Sequence, residues 1–184
     1  SDIAQARRSV MAAVRESFEE TGILLAGEDE QDVVERSSTP EFMAWREAVA
    51  AQDKSFSDFL TSSGLSVRAD LLRPVARWQS PDFFLKRYDI AYFSTALPVG
   101  QDPKLLLGKG VWGDWLNVRE LLEAKDTSEL GDRIGQPNTV GRTLDQLITP
   151  GVMCLLESLA KAQTSVAWLS KRRKIEVKKP VLVT

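Results

Sequence analysis

The stretch Val14 to Ile23, V-R-E-S-F-E-E-T-G-I, constrains this chain more than any other. At about 100° per residue, a helix would set Glu16 and Glu20 about 40° apart, with Glu19 about 60° to the other side. Like charges crowded on one face repel, so a solvated helix gains nothing from the arrangement. A divalent cation reverses that sign, because Mg²⁺ and Mn²⁺ are held through carboxylate oxygens and phosphates. Charge runs also mark ordinary solvated faces, and E-x-x-E-E alone favours that reading. The other side of the helix carries Ile3, Ala6, Val10, Ala13, Ser17 and Phe18 at spacings of three and four, a stripe that can pack on a sheet. Gly22 supplies a left-handed C-terminal cap, and Ile23, Leu24 and Leu25 resume as an apolar run.

With the flanking arginine and the capping glycine added, Arg15-Glu16-Ser17-Phe18-Glu19-Glu20-Thr21-Gly22-Ile23 resembles the C-terminal half of the Nudix box, R-E-U-x-E-E-x-G-U with U a bulky aliphatic. Ser17 stands where an aliphatic is usual. The Gly and first Glu slots of the N-terminal half fall on Ser1 and Arg7, as when an insertion separates the Gly-rich turn from R-E-x-x-E-E. The resemblance implies an α+β fold, a Nudix-like α/β/α sandwich, with residues 1–184 as a single domain. It implies Glu16, Glu19 and Glu20 as ligands of Mg²⁺ or Mn²⁺. It implies Glu19 and Glu20 as catalytic carboxylates, one of them assisting proton removal from water, and Arg15 as the residue that orients them through charge-assisted hydrogen bonds. The strands that precede the box in such folds have no counterpart after Ser1. They are expected from residues before Ser1 or from a partner subunit.

Composition narrows the chemistry. A length of 184 residues accommodates one domain with a core. Apolar residues make up 43% and charged ones 27%, the balance of a globular chain. The net charge of −2 implies no general attraction to nucleic acid or to an anionic membrane. The only charge block, Lys171 to Lys174 with Lys178 and Lys179, reads as a solvated helix end. There is no histidine, which removes Ser-His-Asp, Cys-His and H-E-x-x-H chemistry together. The single cysteine, Cys154, lies in an apolar run and is expected in the core. No run is long and apolar enough to span a bilayer and no signal peptide is visible, so a cytoplasmic protein is expected.

Along the chain, Asp29 to Arg36 reads as a short helix. Ser38-Thr39-Pro40-Glu41 starts a second, and Lys54 to Ser62 makes a third closed by Gly64. This helical block, about 29–63, is an insertion relative to a minimal Nudix domain. Padding or a dimer contact is the more expected role, a substrate lid the other. Leu71–Trp78, Lys86–Leu97 and Gly110–Leu116 read as strands, with Asn117 capping a helix Val118–Lys125. C-terminal helices are expected across 137–174, over Asn138–Ile148, Gly151–Ala162 and Val166–Arg173, before β-like runs at 175–177 and 181–183.

Arg77-Trp78-Gln79-Ser80-Pro81, with Lys86-Arg87-Tyr88-Asp89 after it, resembles the R-W-x-T-P and R-R-F-D motifs of coenzyme A diphosphatase-like Nudix proteins. Trp78 and Arg87 are either nucleotide contacts or, by base rates, a core tryptophan and a salt-bridged cation. The resemblance implies metal-dependent hydrolysis of the diphosphate in a nucleoside-diphosphate-linked small molecule, with coenzyme A or an acyl-CoA as first substrate. A homodimer is left open. The alternative is a catalytically weakened Nudix fold that binds a nucleotide or a protein. Lys109 falls where the family commonly has an accessory glutamate. The base must then come from the helix itself or from Asp89 or Asp114, and slow turnover that increases at alkaline pH is expected.

Overall fold

The computed structural model describes residues 3–124 and 135–181. The chain forms two compact units, residues 1–73 with 95–113, and residues 74–94 with 114–184. Helices and small sheets are mixed in sequence, making an α+β fold.

The first unit is built on α1, Ile3–Thr21, of which Val14 and Phe18 are buried. Strand β1, Ala26–Gly27, comes next and pairs antiparallel with β2, Ser66–Val67. Between them stand α2, Pro40–Ala50, and α3, Phe56–Ser62. Each starts where local chemistry demands it. The Thr39 hydroxyl accepts from the Phe42 N–H with Pro40 in the first turn, and the Ser55 hydroxyl accepts from the Asp58 N–H. The core is aromatic. Phe59 is fully buried, stacks on Phe18 with ring centres 4.9 Å apart, and receives Phe42 edge-on at 5.5 Å and Phe56 at 5.8 Å. The α1 stripe is covered only toward its C-terminal end, since Ile3 and Ala6 are exposed.

The second unit holds a three-stranded sheet in the order β4-β3-β5: β3 is Arg73–Gln79, whose first residue belongs to the other unit, β4 is Asp89–Ser94, and β5 is Val177–Lys178. Strand β5 runs parallel to β3, with Arg77 opposite Val177 and Trp78 opposite Lys178. The helices are α4, Val118–Glu123, α5, Leu144–Leu147, α6, Pro150–Ala160, and α7, Ser165–Ser170. The Trp78 indole lies where a side chain on Gly151 would be, 3.3 Å from the position of a Cβ. The Arg119 guanidinium donates to the Ala160 and Ala162 carbonyls, closing the C-terminal end of α6.

Several expected elements are altered. Residues 29–36 form no helix, because the Asp29 side chain accepts from the backbone N–H groups of Gln31 and Asp32 and folds the segment as a turn. No strand forms over 110–116. Gly110 and Gly113 lie against the Leu105 side chain, and Gly108 takes a φ of +84°, so the segment is folded on itself rather than extended. The expected strand 86–97 shortens to β4, and the expected helix 138–148 to α5. Cys154 is exposed on α6, not in the core, and Gly151 is the residue of that helix that is buried. Lys125, Leu182 and Val183 lie outside the described residues. No helix among the described residues is long and apolar enough to cross a membrane.

The stacked pair at the centre of the first unit gives a direct test. Phe18→Ala should destabilise the protein by about 3–5 kcal/mol, the range for truncating a fully buried aromatic. Urea unfolding monitored by far-UV circular dichroism reads this.

Candidate functional site at the end of the first helix

Every residue of this site belongs to the first unit. A helix terminus leaves its last carbonyls without partners, and burial makes that costly. Here α1 ends at Thr21, whose carbonyl accepts from the Lys104 N–H at 2.8 Å. Further back, the Glu19 carbonyl accepts from Arg46 Nε at 3.0 Å. The same guanidinium donates through Nη2 to the Lys104 carbonyl at 2.8 Å, so α2, α1 and the segment around residue 104 meet at one cation. Arg46 is completely buried, and burial pulls its guanidinium below the ordinary arginine range. Its Nη1 is buried, has no hydrogen-bond partner among the described residues, and lies 3.1 Å from where a Cβ on Gly22 would be. Gly22 itself has a φ of +77°. The position favours glycine for the left-handed turn, and a Cβ there would press on Arg46.

Gln101 fastens the chain just beyond the helix. Its side chain is buried, accepts from the Leu24 N–H at 2.8 Å, and donates to the Leu24 and Val34 carbonyls. Residues 101–109 are therefore clipped against the end of α1 at two points, Gln101 and Lys104.

The carboxylates differ sharply in surroundings. Glu16 and Glu20 are exposed, one turn apart. Glu20 carries no ion pair among the described residues, and Glu16 faces Arg15 Nη2 at 3.5 Å. Glu19 is drawn inward, with only 12% of its side chain exposed. Its Oε1 is 3.5 Å from Arg15 Nε, and its Oε2 is 3.7 Å from Lys109 Nζ. A groove of about 480 Å³ runs beside Arg15 and Glu19, lined also by Met11, Gln52, Lys54 and Phe56. A second, of about 430 Å³, is lined by Glu47, Ala50, Leu106, Leu107 and Lys109.

The alternative bases belong to the second unit. Asp89, in the second unit, accepts from Arg77 Nε at 2.7 Å and from Gln79 Nε2 at 3.0 Å, and Arg77 holds its carboxyl down at about 2. A carboxylate so committed is a poor proton acceptor near neutral pH. Asp114 accepts from the Trp115 N–H. In the same unit Arg87 meets Asp82 at 3.8 Å, and Trp78 packs on Gly151.

A crystal structure of a NUDIX hydrolase from Alicyclobacillus acidocaldarius matches this chain with a TM-score of 0.66 at 18% identity. The match covers 89% of this chain and 65% of that one. The fold is Nudix-like. No family model and no curated protein matches the sequence.

A Nudix-like fold brings the question of a divalent ion to α1. The donors suit a hard cation, being carboxylate oxygens without histidine or cysteine. Glu16 and Glu20, exposed and one turn apart, fit an ion that keeps most of its waters and takes one or two carboxylates. Glu19 does not, because both its oxygens face cations. Among the described residues no three acidic, cysteine or histidine side chains come together around an ion.

Sequence reasoning missed Arg46, Gln101 and Lys104. A signal existed for Arg46, which lies four residues after Phe42 and three before Val49 and so falls on the apolar face of α2. Backbone capping by Lys104 and the reach of Gln101 across 77 residues left none.

These pairings can be tested in two ways. Arg46→Met keeps the volume of the side chain but leaves the Glu19 and Lys104 carbonyls without their donor. At about 1–3 kcal/mol for each buried group, the cost should be about 2–6 kcal/mol in denaturant unfolding. The Asp89 carboxyl is lowered from an ordinary 3.8 to about 2, so the Arg77–Asp89 pair contributes fully above the unfolded value of 3.8 and is lost as pH falls through 2. Asp89→Asn should flatten the fall in melting temperature between those two pH values.

Proposed function

We propose that this chain hydrolyses the diphosphate linkage of a nucleoside-diphosphate-linked small molecule with the help of Mg²⁺ or Mn²⁺. The observation that carries this reading is the R-E-x-x-E-E-x-G segment at the fastened end of α1, with Glu16 and Glu20 open to solvent, in a Nudix-like fold. Glu16 and Glu20 would hold the ion, and Glu19 completes the set when freed from its cations. Such an ion, when bound, neutralises phosphate charge, orients the diphosphate and makes water a better nucleophile. Arg15 orients Glu16 and Glu19 through its guanidinium and does not reach for substrate. The groove beside Arg15 and Glu19 offers apolar walls at Met11 and Phe56, and polar groups at Gln52 and Lys54, for the rest of the substrate.

Coenzyme A or an acyl-CoA is the first substrate to try, from the motif around Arg77–Pro81 and Lys86–Asp89. Ligand and proton acceptor, the two roles assigned to Glu19, both need an oxygen that now faces Arg15 or Lys109. Turnover is therefore slow. That same engagement favours a second reading, a weakened Nudix fold that binds a nucleotide without cleaving it.

The deciding experiment is turnover of coenzyme A, ADP-ribose and NADH with Mn²⁺, paired with calorimetric binding. Metal-dependent cleavage that drops at least tenfold in Glu16→Gln and in Glu20→Gln, with melting temperature unchanged, supports the hydrolase. Binding of a substrate without turnover supports the second reading. Turnover equal to the parent in both variants rejects the site.

A further inference from the structure

Two cations face Glu19, Arg15 from α1 itself and Lys109 from a separate segment of the chain. We infer that the Lys109 ammonium is a built-in counter-cation for Glu19, filling the place a divalent ion would otherwise take and so weakening the metal affinity of the helix. This role rests on the metal-dependent reading of the same site and adds a residue that regulates it.

Glu19 is the most enclosed of the three carboxylates, and its Oε2 faces Lys109 at 3.7 Å while Oε1 faces Arg15 at 3.5 Å. Glu16, by contrast, leaves 61% of its side chain in solvent. Lys109 is not a surface cation that happened to swing near. It comes just after the clip formed by the Lys104 N–H on Thr21 and by Arg46 on the Lys104 carbonyl. A turn then returns the Lys109 N–H to the Leu106 carbonyl at 3.0 Å, with Gly108 at a φ of +84° re-aiming the chain toward α1. The ammonium is thus delivered from an anchored segment.

An ammonium has three donors and no acceptor, so it can neutralise a carboxylate but can never ligate a metal. A divalent ion approaching Glu19 meets a like charge at contact distance. Removing the charge at 109 frees one oxygen of Glu19 without disturbing the fastening at 101 and 104. Arg15 still faces the other oxygen, so the gain comes from Oε2 alone.

The test measures Mn²⁺ binding by calorimetry, with electron paramagnetic resonance of the bound ion as a second readout, on the whole chain without substrate. Lys109→Gln should bind Mn²⁺ at least tenfold more tightly than the parent, and Lys109→Glu more tightly still, while Lys109→Arg stays within a few-fold. Adding Glu19→Gln to Lys109→Gln should erase the gain. Lys109→Met provides a second neutral variant, and melting temperatures of all variants separate a loss of folding from a change in Mn²⁺ affinity. Equal Mn²⁺ affinity in parent, Lys109→Gln and Lys109→Met, lost in Glu16→Gln or Glu20→Gln, overturns this inference and leaves the metal-dependent reading standing. No Mn²⁺ binding in any of the chains overturns both.

Discussion

The first unit depends on a buried cation that forms no salt bridge among the described residues. Arg46 is sealed from solvent, yet what it meets are backbone carbonyls, those of Glu19 and Lys104. Carbonyls at the end of a helix carry the negative pole of its dipole, so a guanidinium there is stabilised without a carboxylate. Remove it, and three segments lose their common contact: the last turn of α1, the face of α2, and the backbone at 104. Gly22 belongs to the same arrangement, because any side chain there would meet Arg46 Nη1. The glycine that the motif requires and the arginine that the motif does not mention are thus one structural device.

That device explains how carboxylates can sit where they do. Negative charge near the C-terminal end of a helix is unfavourable, typically by about 0.3–1 kcal/mol for each surface group. Glu19 and Glu20 fall in the last turn of α1, and Glu16 one turn earlier. Arg46 offsets the pole itself, Arg15 and Lys109 offset Glu19, and Glu20 is left to solvent. A helix with no task at this end would gain stability by losing these charges. Their placement is a local conflict between helix dipole and side-chain charge that Arg46, Arg15 and Lys109 partly relieve.

How much of this was legible before the structure depended on the range of the interaction. The Gly22 ending of α1 and the caps of α2 and α4 were readable, because each rests on residues within four positions of one another. The α+β class came from the resemblance of Arg15 to Ile23 to the Nudix box. The failures came where a segment's fate was decided locally by a competing bond or remotely by packing. Asp29 turned an expected helix into a loop through its own side chain, and two glycines packed on Leu105 stand where a strand was expected. Cys154 sits in an apolar run, but α6 turns that position outward. For the candidate site, the motif named Arg15, Glu16, Glu19 and Glu20, and sequence counting singled out Lys109. What no local pattern could reveal was that Lys109 Nζ would face Glu19 itself.

That contact changes what a motif match means. Helical spacing groups Glu16, Glu19 and Glu20 as equivalents, since it fixes the direction in which each side chain leaves the helix and nothing more. Equivalence breaks once a neighbouring segment supplies charge. The segment 101–109 is fastened at Gln101 by a buried amide and at Lys104 by backbone and guanidinium, so its lysine arrives as a fixed part of the surface. Two carboxylates face solvent and one faces two cations. An ion or a phosphate approaching this end of the helix therefore meets a site with a sign gradient, negative at Glu16 and Glu20 and neutralised at Glu19.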